Sequence, residues 1–394
     1  MILKNVSILY GNNLKLVEST NVKISDKKFQ KINSKIISKE KTLDCEGLLL
    51  IPGLINSHTH IGDSIGKDLS LNSNTDDRVH PVSSIKQKIL SQTPKKELIR
   101  FMRKSAISMI KKGITTFVDF REGELSGIQL LKLALQGIPI RSIILGRVDY
   151  YQTHEEIKKN IRMPDLHRAR LKSILRDCDG VGISGPNENS NANMQIYSKI
   201  KKIRAIHAAE TNKSYSLSKR IFKQTEPKRA MLIKPTFLVH MTFATKKDLE
   251  IASKKSRGIV ICPRANAALA EGIPDLHLMQ KMNCNLAIGT DNIMINSPNL
   301  FREMDYLWKV SMGLNKKRFD PKEILKMTTV NAGKILNRKI GSIKEGFLAD
   351  CVFLKKKSLD LEPLNNPYAG IVHRASENSI KAVMIGGKFV HGKI

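Results

Sequence analysis

The sequence predicts an α/β protein, a (β/α)8 TIM-type barrel carrying a small β-sandwich domain assembled from both chain ends. Three observations lead there. Between about residues 50 and 340, eight short apolar runs alternate with amphipathic stretches. The two ends instead read as short strands with turns, and neither has enough residues for a core of its own. No Gly-rich phosphate loop follows the first run, which disfavours the rival architecture, a doubly wound open sheet. The expected division is 1–51 and 341–394 for the two parts of the small domain and 52–340 for the barrel.

The eight runs, in order, are LLLIPGLINSH (48–58), TTFVDFR (115–121), IRSIILGRV (140–148), GVGISG (180–185), IRAIHAAE (203–210), TFLVHMT (236–242), GIVICPRA (258–265) and NLAIGTD (285–291). Their length and β-branched content fit strands buried on both faces of a parallel sheet. Helical patterns fill the gaps, such as 95–113 and 125–137, the second closed by Gly137 and Pro139. Eight strand-then-helix units in about 290 residues is the arithmetic of a barrel. At the ends, NVSILYGNN, NVKISDKKFQKI, ADCVFLKKK and SIKAVMIGGKFVHGKI read as strands, with Gly386-Gly387 as a hairpin turn. The polar stretch Leu71 to Ser84 is the best candidate for a mobile loop over the barrel.

Composition excludes several classes. With 41% hydrophobic and 26% charged residues, the 394-residue chain is neither disordered nor fibrous. No run reaches the roughly 18 apolar residues of a membrane helix, and no secretory signal is visible at MILKNVSILYG. The five cysteines are scattered and never form a CxxC pair. A disulfide framework or thiolate zinc site is therefore not expected, and a reducing, cytoplasmic setting is. The net charge of +31 suggests an acidic partner. Its basic residues are spread over the whole chain, and aromatics, the material of base stacking, are only 5%. A lysine-rich proteome or salt-adapted surface is the plainer account, and a nucleic-acid partner is disfavoured.

Active sites of such barrels lie at the C-terminal ends of the strands. Of ten histidines, four fall there. The first run ends in His58-Thr59-His60, and residues i and i+2 of a strand share a face, so both imidazoles can point at one ion. The fifth run ends with His207 and Glu210, the sixth with His240, the eighth with Asp291. His80 lies in the polar loop; His154, His167 and His277 lie on helical patterns, and His373 and His391 in the small domain. These six read as surface or packing residues. An isolated HxH is weak, but HxH, HxxE, His and Asp at successive strand ends form a specific pattern.

At these motifs the chain resembles the metal-dependent amidohydrolase superfamily, and most of all its chlorohydrolase/deaminase branch. That branch includes cytosine, guanine and S-adenosylhomocysteine deaminases and triazine hydrolases. The carrying segments are PGLINSHTHIGDS (52–64), HAAE (207–210), VH (239–240), CPRAN (262–266) and GTDN (289–292), with EGFLADCVFL (345–354) and VMIGGKFV (383–390) matching the family's C-terminal β domain. The resemblance covers essentially the whole chain. It implies one divalent metal per chain on His58, His60, His207 and Asp291, with Glu210 as proton shuttle and His240 orienting the attacking water or substrate. A core histidine or a second metal's ligand is the alternative for His240. Binuclear members use a carboxylated lysine on the fourth strand. Residues 180–186 offer none, which favours a single ion. Imidazole and carboxylate suit zinc, iron and manganese, with zinc the first expectation.

Other strand-end residues are candidates for substrate contacts: Arg121 and Glu122 after the second strand, Arg147 after the third, Asn187 and Glu188 after the fourth, and Arg264 and Asn266 after the seventh. Three guanidiniums at one barrel mouth would suit an anionic or phosphorylated small molecule. Internal pairing of Arg121 with Asp119 or Glu122, and of Arg147 with Asp149, is the competing account. The expected activity is hydrolytic deamination of a purine-, pyrimidine- or pteridine-like ring. The same site could serve cyclic-amide or C–Cl hydrolysis, and a basic nucleic-acid-binding protein with a structural metal is the alternative of another class. Homo-oligomerisation is left open.

Overall fold

The structure is a computed structural model that describes residues 1–33, 36 and 40–394. The remainder of the expected 1–51 segment, at 34–35 and 37–39, lies outside the described residues. A nine-segment, all-parallel sheet forms a TIM-type barrel. Its first seven strands are Leu54–His60, Ile114–Arg121, Arg141–Gly146, Gly180–Ile183, Ile203–Ala208, Phe237–His240 and Ile259–Ile261. The eighth is split. Leu286–Ile288 pairs with strand seven, while Asp291–Asn292 pairs back to strand one, Asp291 opposite Thr59. The expected helices appear as Lys95–Lys111 and Glu124–Leu135.

The period-two pattern of the strands divides the core. Val118, Phe120, Ile143, Leu145, Ala205, Phe237, Val239, Val260 and Ala287 fill the barrel interior. Phe117, Ile144, Val181, Ile206, Leu238 and Ile259 face the helices instead. Helix Val330–Leu336 closes the interior from below with Ala332, Ile335 and Leu336.

The first apolar run behaves differently from expectation. Residues 48–58 are not one barrel strand: Leu48–Pro52 pairs with Cys351–Lys355 in the other sheet, and the barrel strand begins only at Leu54. Pro52-Gly53 makes the break, since proline cannot donate to a ladder and the glycine lies tight against Thr115. The second sheet draws its eight strands from residues 2–52 and 351–392, so both chain ends contribute. Hydrogen bonding runs through it continuously, and Val22, Ile24 and Phe29 from one end share a core with Ala382, Met384 and Phe389 from the other. The hairpin Ile380–Ile385 with Lys388–Gly392 turns at Gly386-Gly387, both at positive φ, as expected.

The C-terminal segment is not all strand. Pro367–Ala369, Gly370–Arg374 and Glu377–Ser379 are short helical turns, and His373 stacks on Trp308 of helix Leu300–Asn315. The two sheets are tied by Arg141, which pairs with the buried Asp350 at 2.6 and 3.0 Å. Among the described residues, no helix is long and apolar enough to cross a membrane, and all five cysteines are free.

The polar stretch after strand one is structured. It holds helix Thr75–Val79, whose N-cap Asn74 accepts from Asp77 N, and leads into helix Ile85–Gln92, capped by the fully buried Ser84. Thr75 bonds Glu271, Asp76 pairs with Lys213, and Arg78 is buried beneath, so the segment lies as a cover across the barrel mouth.

Candidate metal centre and catalytic cavity

Local backbone irregularity aims the site residues inward. Strand one shifts register between Asn56 and Thr59, the kind of bulge that re-aims side chains at barrel rims. His58 there lies 4.4 Å, ring to ring, from the interior Phe120. His240 and Asp291 occupy left-handed backbone, φ 69° and 60°, sparsely populated for these residues and concentrated at functional sites. Gly289 lets strand eight close onto strand one, since a Cβ there would sit 2.6 Å from His58 Cβ.

Four donors converge. Asp291 Oδ1 lies 3.2 Å from His58 Nε2 and 3.5 Å from His60 Nε2, and His207 Nε2 lies 3.2 Å from His58 Nε2. The opposite ring nitrogens explain which atoms are free to ligate. His207 Nδ1 donates to the Ile183 carbonyl at 3.0 Å, and His60 Nδ1 to Glu122 Oε1 at 2.7 Å. Each Nε2 therefore keeps its lone pair. His58 Nε2 lies 3.2 Å from both His207 Nε2 and Asp291 Oδ1, and its own Nδ1 is buried without a hydrogen-bond partner. Burial pushes the pKa of all three histidines down, His60 to about 3. They are thus neutral, as ligands must be. Asp291 is buried as well, yet the hydrogen bond from His58 and the nearby imidazoles hold it well below the usual carboxylate range. The donor set fits a divalent metal.

Glu210 and His240 stand beside this cluster, with Glu210 Oε2 3.5 Å from His240 Nε2. His240 Nδ1 is 3.0 Å from Asn266 Oδ1, which leaves Nε2 buried without a hydrogen-bond partner and facing the cluster. Burial raises the Glu210 carboxyl, with Asp291 adding to the effect and His240 opposing it. These groups line a cavity of about 120 Å³ with His60, His207, Asp291, Lys86, Arg147, Glu188 and Glu226. A second pocket of about 510 Å³ shares Asp76, His80, Glu188, Thr211 and Ser214 with it.

The candidate substrate contacts divide. Arg147 lines the cavity, almost fully buried; its Nε makes no hydrogen bond but lies 3.8 Å from Asp149, the pair that the internal-pairing account named. Arg121 does not reach the cavity: Nη2 holds Glu122 at 2.6 Å and Nη1 lies 3.4 Å from Asp119, as the internal-pairing account has it. Arg264 pairs with Glu303 at 3.4 Å and faces an outer pocket with Arg302 and Tyr306. Asn187 spends its amide on the Ser214 carbonyl and lies within 3.4 Å of Arg229, outside the inner cavity. Glu122 sits beneath His60, and Asn266 beneath His240. Among the cavity residues without a strand-end signal, Lys86 and Glu226 lie on helices, and His80 lies in the cover.

Glu226 offers a test of the cavity's electrostatics that is independent of metal. Burial raises its carboxyl from 4.5 to about 8, although Ser214 Oγ and Ala209 N donate to it. The folded state therefore keeps a proton that the unfolded chain loses. The associated stability is complete below pH 4.5 and is lost as pH rises through about 8. Glu226→Gln stays neutral throughout, so its Tm should gain on wild type across this window. The linkage slope is at most about 1.4 kcal/mol per pH unit, roughly 1–2 °C per unit for a chain this long. A Tm difference flat from pH 5 to 9 would contradict the raised pKa.

Comparison with known proteins agrees with this geometry. The family model described as "Amidohydrolase family" matches residues 49–390. A Methanothermobacter thermautotrophicus protein is 35% identical over 99% of both chains. The 5-methylthioadenosine/S-adenosylhomocysteine deaminase of Thermococcus sibiricus is 26% identical, over 99% of this chain and 93% of that one. The atrazine chlorohydrolase TrzN of Arthrobacter aurescens, solved with zinc, shares the fold with a TM-score of 0.85 at 15% identity, covering 99% and 95% of the two chains. The chain belongs to the amidohydrolase family.

Proposed function

We propose that the protein is a metal-dependent hydrolase that deaminates an N-heterocyclic small molecule, replacing a ring amino group by oxygen from water and releasing ammonia. The observation that carries this reading is the convergence of His58, His60 and His207 Nε2 with Asp291 Oδ1, flanked by one protonatable carboxyl, Glu210, and one anchored imidazole, His240. One divalent ion, zinc by preference, would be held by His58, His60, His207 and Asp291. When bound, it supplies a Lewis acid that lowers the pKa of water at the site toward neutrality.

The chain's own groups handle the protons. Asp291, kept ionised, accepts the proton of the attacking water. Glu210, its carboxyl raised by burial, donates to the ring nitrogen and then serves the leaving amine. His240, fixed through Asn266, directs Nε2 at the attacked carbon's oxygen. Arg147, buried in the cavity wall with its Nε free of hydrogen bonds, binds an anionic substituent of the substrate. With five free cysteines, the protein suits the reducing cytoplasm.

Ammonia release from a panel of purines, pyrimidines and pteridines, each with and without a phosphate or carboxylate substituent, tests this reading. Zinc-loaded protein that releases acid or chloride, and no ammonia, would overturn deamination. Arg147→Ala should raise KM for the anionic member of a pair by about 10–100-fold, the worth of a charged hydrogen bond, with kcat little changed. Equal KM changes for the anionic and neutral members would rule out the anion-binding role.

A further inference from the structure

Glu122 points away from the position expected of a substrate contact. Its Oε1 lies 2.7 Å from His60 Nδ1 and 2.6 Å from Lys86 Nζ, and its Oε2 lies 2.6 Å from Arg121 Nη2. The side chains of all four residues are at most 5% exposed. Such an array is costly to bury and holds only when charge and hydrogen bonds are matched. We propose that Glu122 and Lys86 are positioning residues that clamp the imidazole of His60 for metal binding. This rests on His60 being a ligand, but not on which bond the enzyme hydrolyses.

An imidazole ligates through Nε2 only if Nδ1 carries the hydrogen and the ring is held at one angle. Donation to a carboxylate does both and makes Nε2 a better donor. Glu122 can serve only as an anion, because a protonated carboxyl would not hold Lys86 and Arg121. Arg121 cannot stand in for Lys86. It grips the other carboxylate oxygen and is committed to Asp119 and the Glu122 carbonyl. Lys86 shares with His60 the oxygen Oε1, so its removal frees Oε1 to swing away from the ring.

Lys86 also has a telling place in the chain. It is the second residue of helix Ile85–Gln92, directly after the cover that crosses the barrel mouth. Seating that helix sets the position of the ammonium, and through Glu122 the angle of His60. Among the described residues the ammonium makes no other ion pair or hydrogen bond, so its two remaining hydrogens are free toward the cavity that Lys86 lines.

The test uses full-length protein stripped of metal, with Zn²⁺ titrated against a chromogenic chelator and the visible spectrum of the Co²⁺ form recorded. Glu122→Gln and Lys86→Met should each weaken Zn²⁺ binding by about 10–100-fold and alter the Co²⁺ bands. Lys86→Arg should recover part of the loss. Because Lys86 acts through Glu122, the double variant should be little worse than Glu122→Gln alone. Lys86→Gln carries the same comparison if the methionine variant does not fold. Zn²⁺ bound by Lys86→Met as tightly as by wild type, or more tightly through removal of a neighbouring cation, would overturn the clamp. So would losses that simply add in the double variant. Weakened Zn²⁺ binding in a protein that deaminates nothing would support the clamp and overturn the activity; wild type that takes up no Zn²⁺ would overturn both.

Discussion

Glu210→Gln is expected to lower kcat by about 10²–10⁴-fold while the protein keeps its metal. Glu210 is three residues beyond His207 and, among the described residues, is the acidic group of the cluster outside the proposed ligand set. Its Oε2 faces His240 Nε2 at 3.5 Å, and its side chain is 20% exposed, toward the cavity. Glutamine preserves the shape and can still accept a hydrogen bond, but it cannot carry a proton to a ring nitrogen. The loss should therefore fall on kcat and leave metal content and KM nearly unchanged. Elemental analysis beside steady-state kinetics checks both halves. A variant that loses metal along with activity would place Glu210 among the ligands instead.

Asp291→Asn should have the larger effect, because this residue is asked to do two things. Its Oδ1 is the point on which His58 and His60 converge, and it is the group kept ionised by the surrounding imidazoles. The amide retains the size but removes the charge, leaving three neutral imidazoles to hold a dication in a buried site. Metal recovered after dialysis should fall from about one equivalent to a small fraction of that. Saturating zinc should not restore turnover, since the proton acceptor is gone. Recovery of more than a few per cent of wild-type kcat at high zinc would show that Asp291 only binds the ion. The pH profile adds a further check: Asp291 titrates well below the usual range, so the folded apoprotein should keep this carboxylate charged into acid where ordinary aspartates protonate.

Much of this was readable from residue order, and the boundary between what was and was not is physical. The barrel strands announce themselves because burial on both faces favours apolar, β-branched runs such as Ile259–Ile261. His58, His60, His207, His240 and Asp291 sit where those runs stop, and topology gathers the strand ends at one mouth. The split at Pro52-Gly53 was less legible, because both halves of 48–58 are equally apolar and only partner choice separates them. Side-chain direction was illegible. Arg121, Arg147 and Arg264 occupy equivalent strand-end positions and each has an acidic neighbour, yet of the three it is Arg147 that also lines the cavity. Lys86 and Glu226 reach the cavity from helices, where a charged residue ordinarily reads as solvated surface. Their role exists only once cover and barrel are packed together.

The central claim is that one metal, held by these four side chains, makes the cavity a deaminating site. The most direct test is an ammonia-release assay on the heterocycle panel with three preparations side by side: chelator-stripped protein, the same protein restored with one equivalent of Zn²⁺, and His60→Ala given the same Zn²⁺. The account predicts ammonia from at least one ring with the restored protein and none above background with the other two. Ammonia at the same rate from the stripped protein, or from His60→Ala, would contradict it.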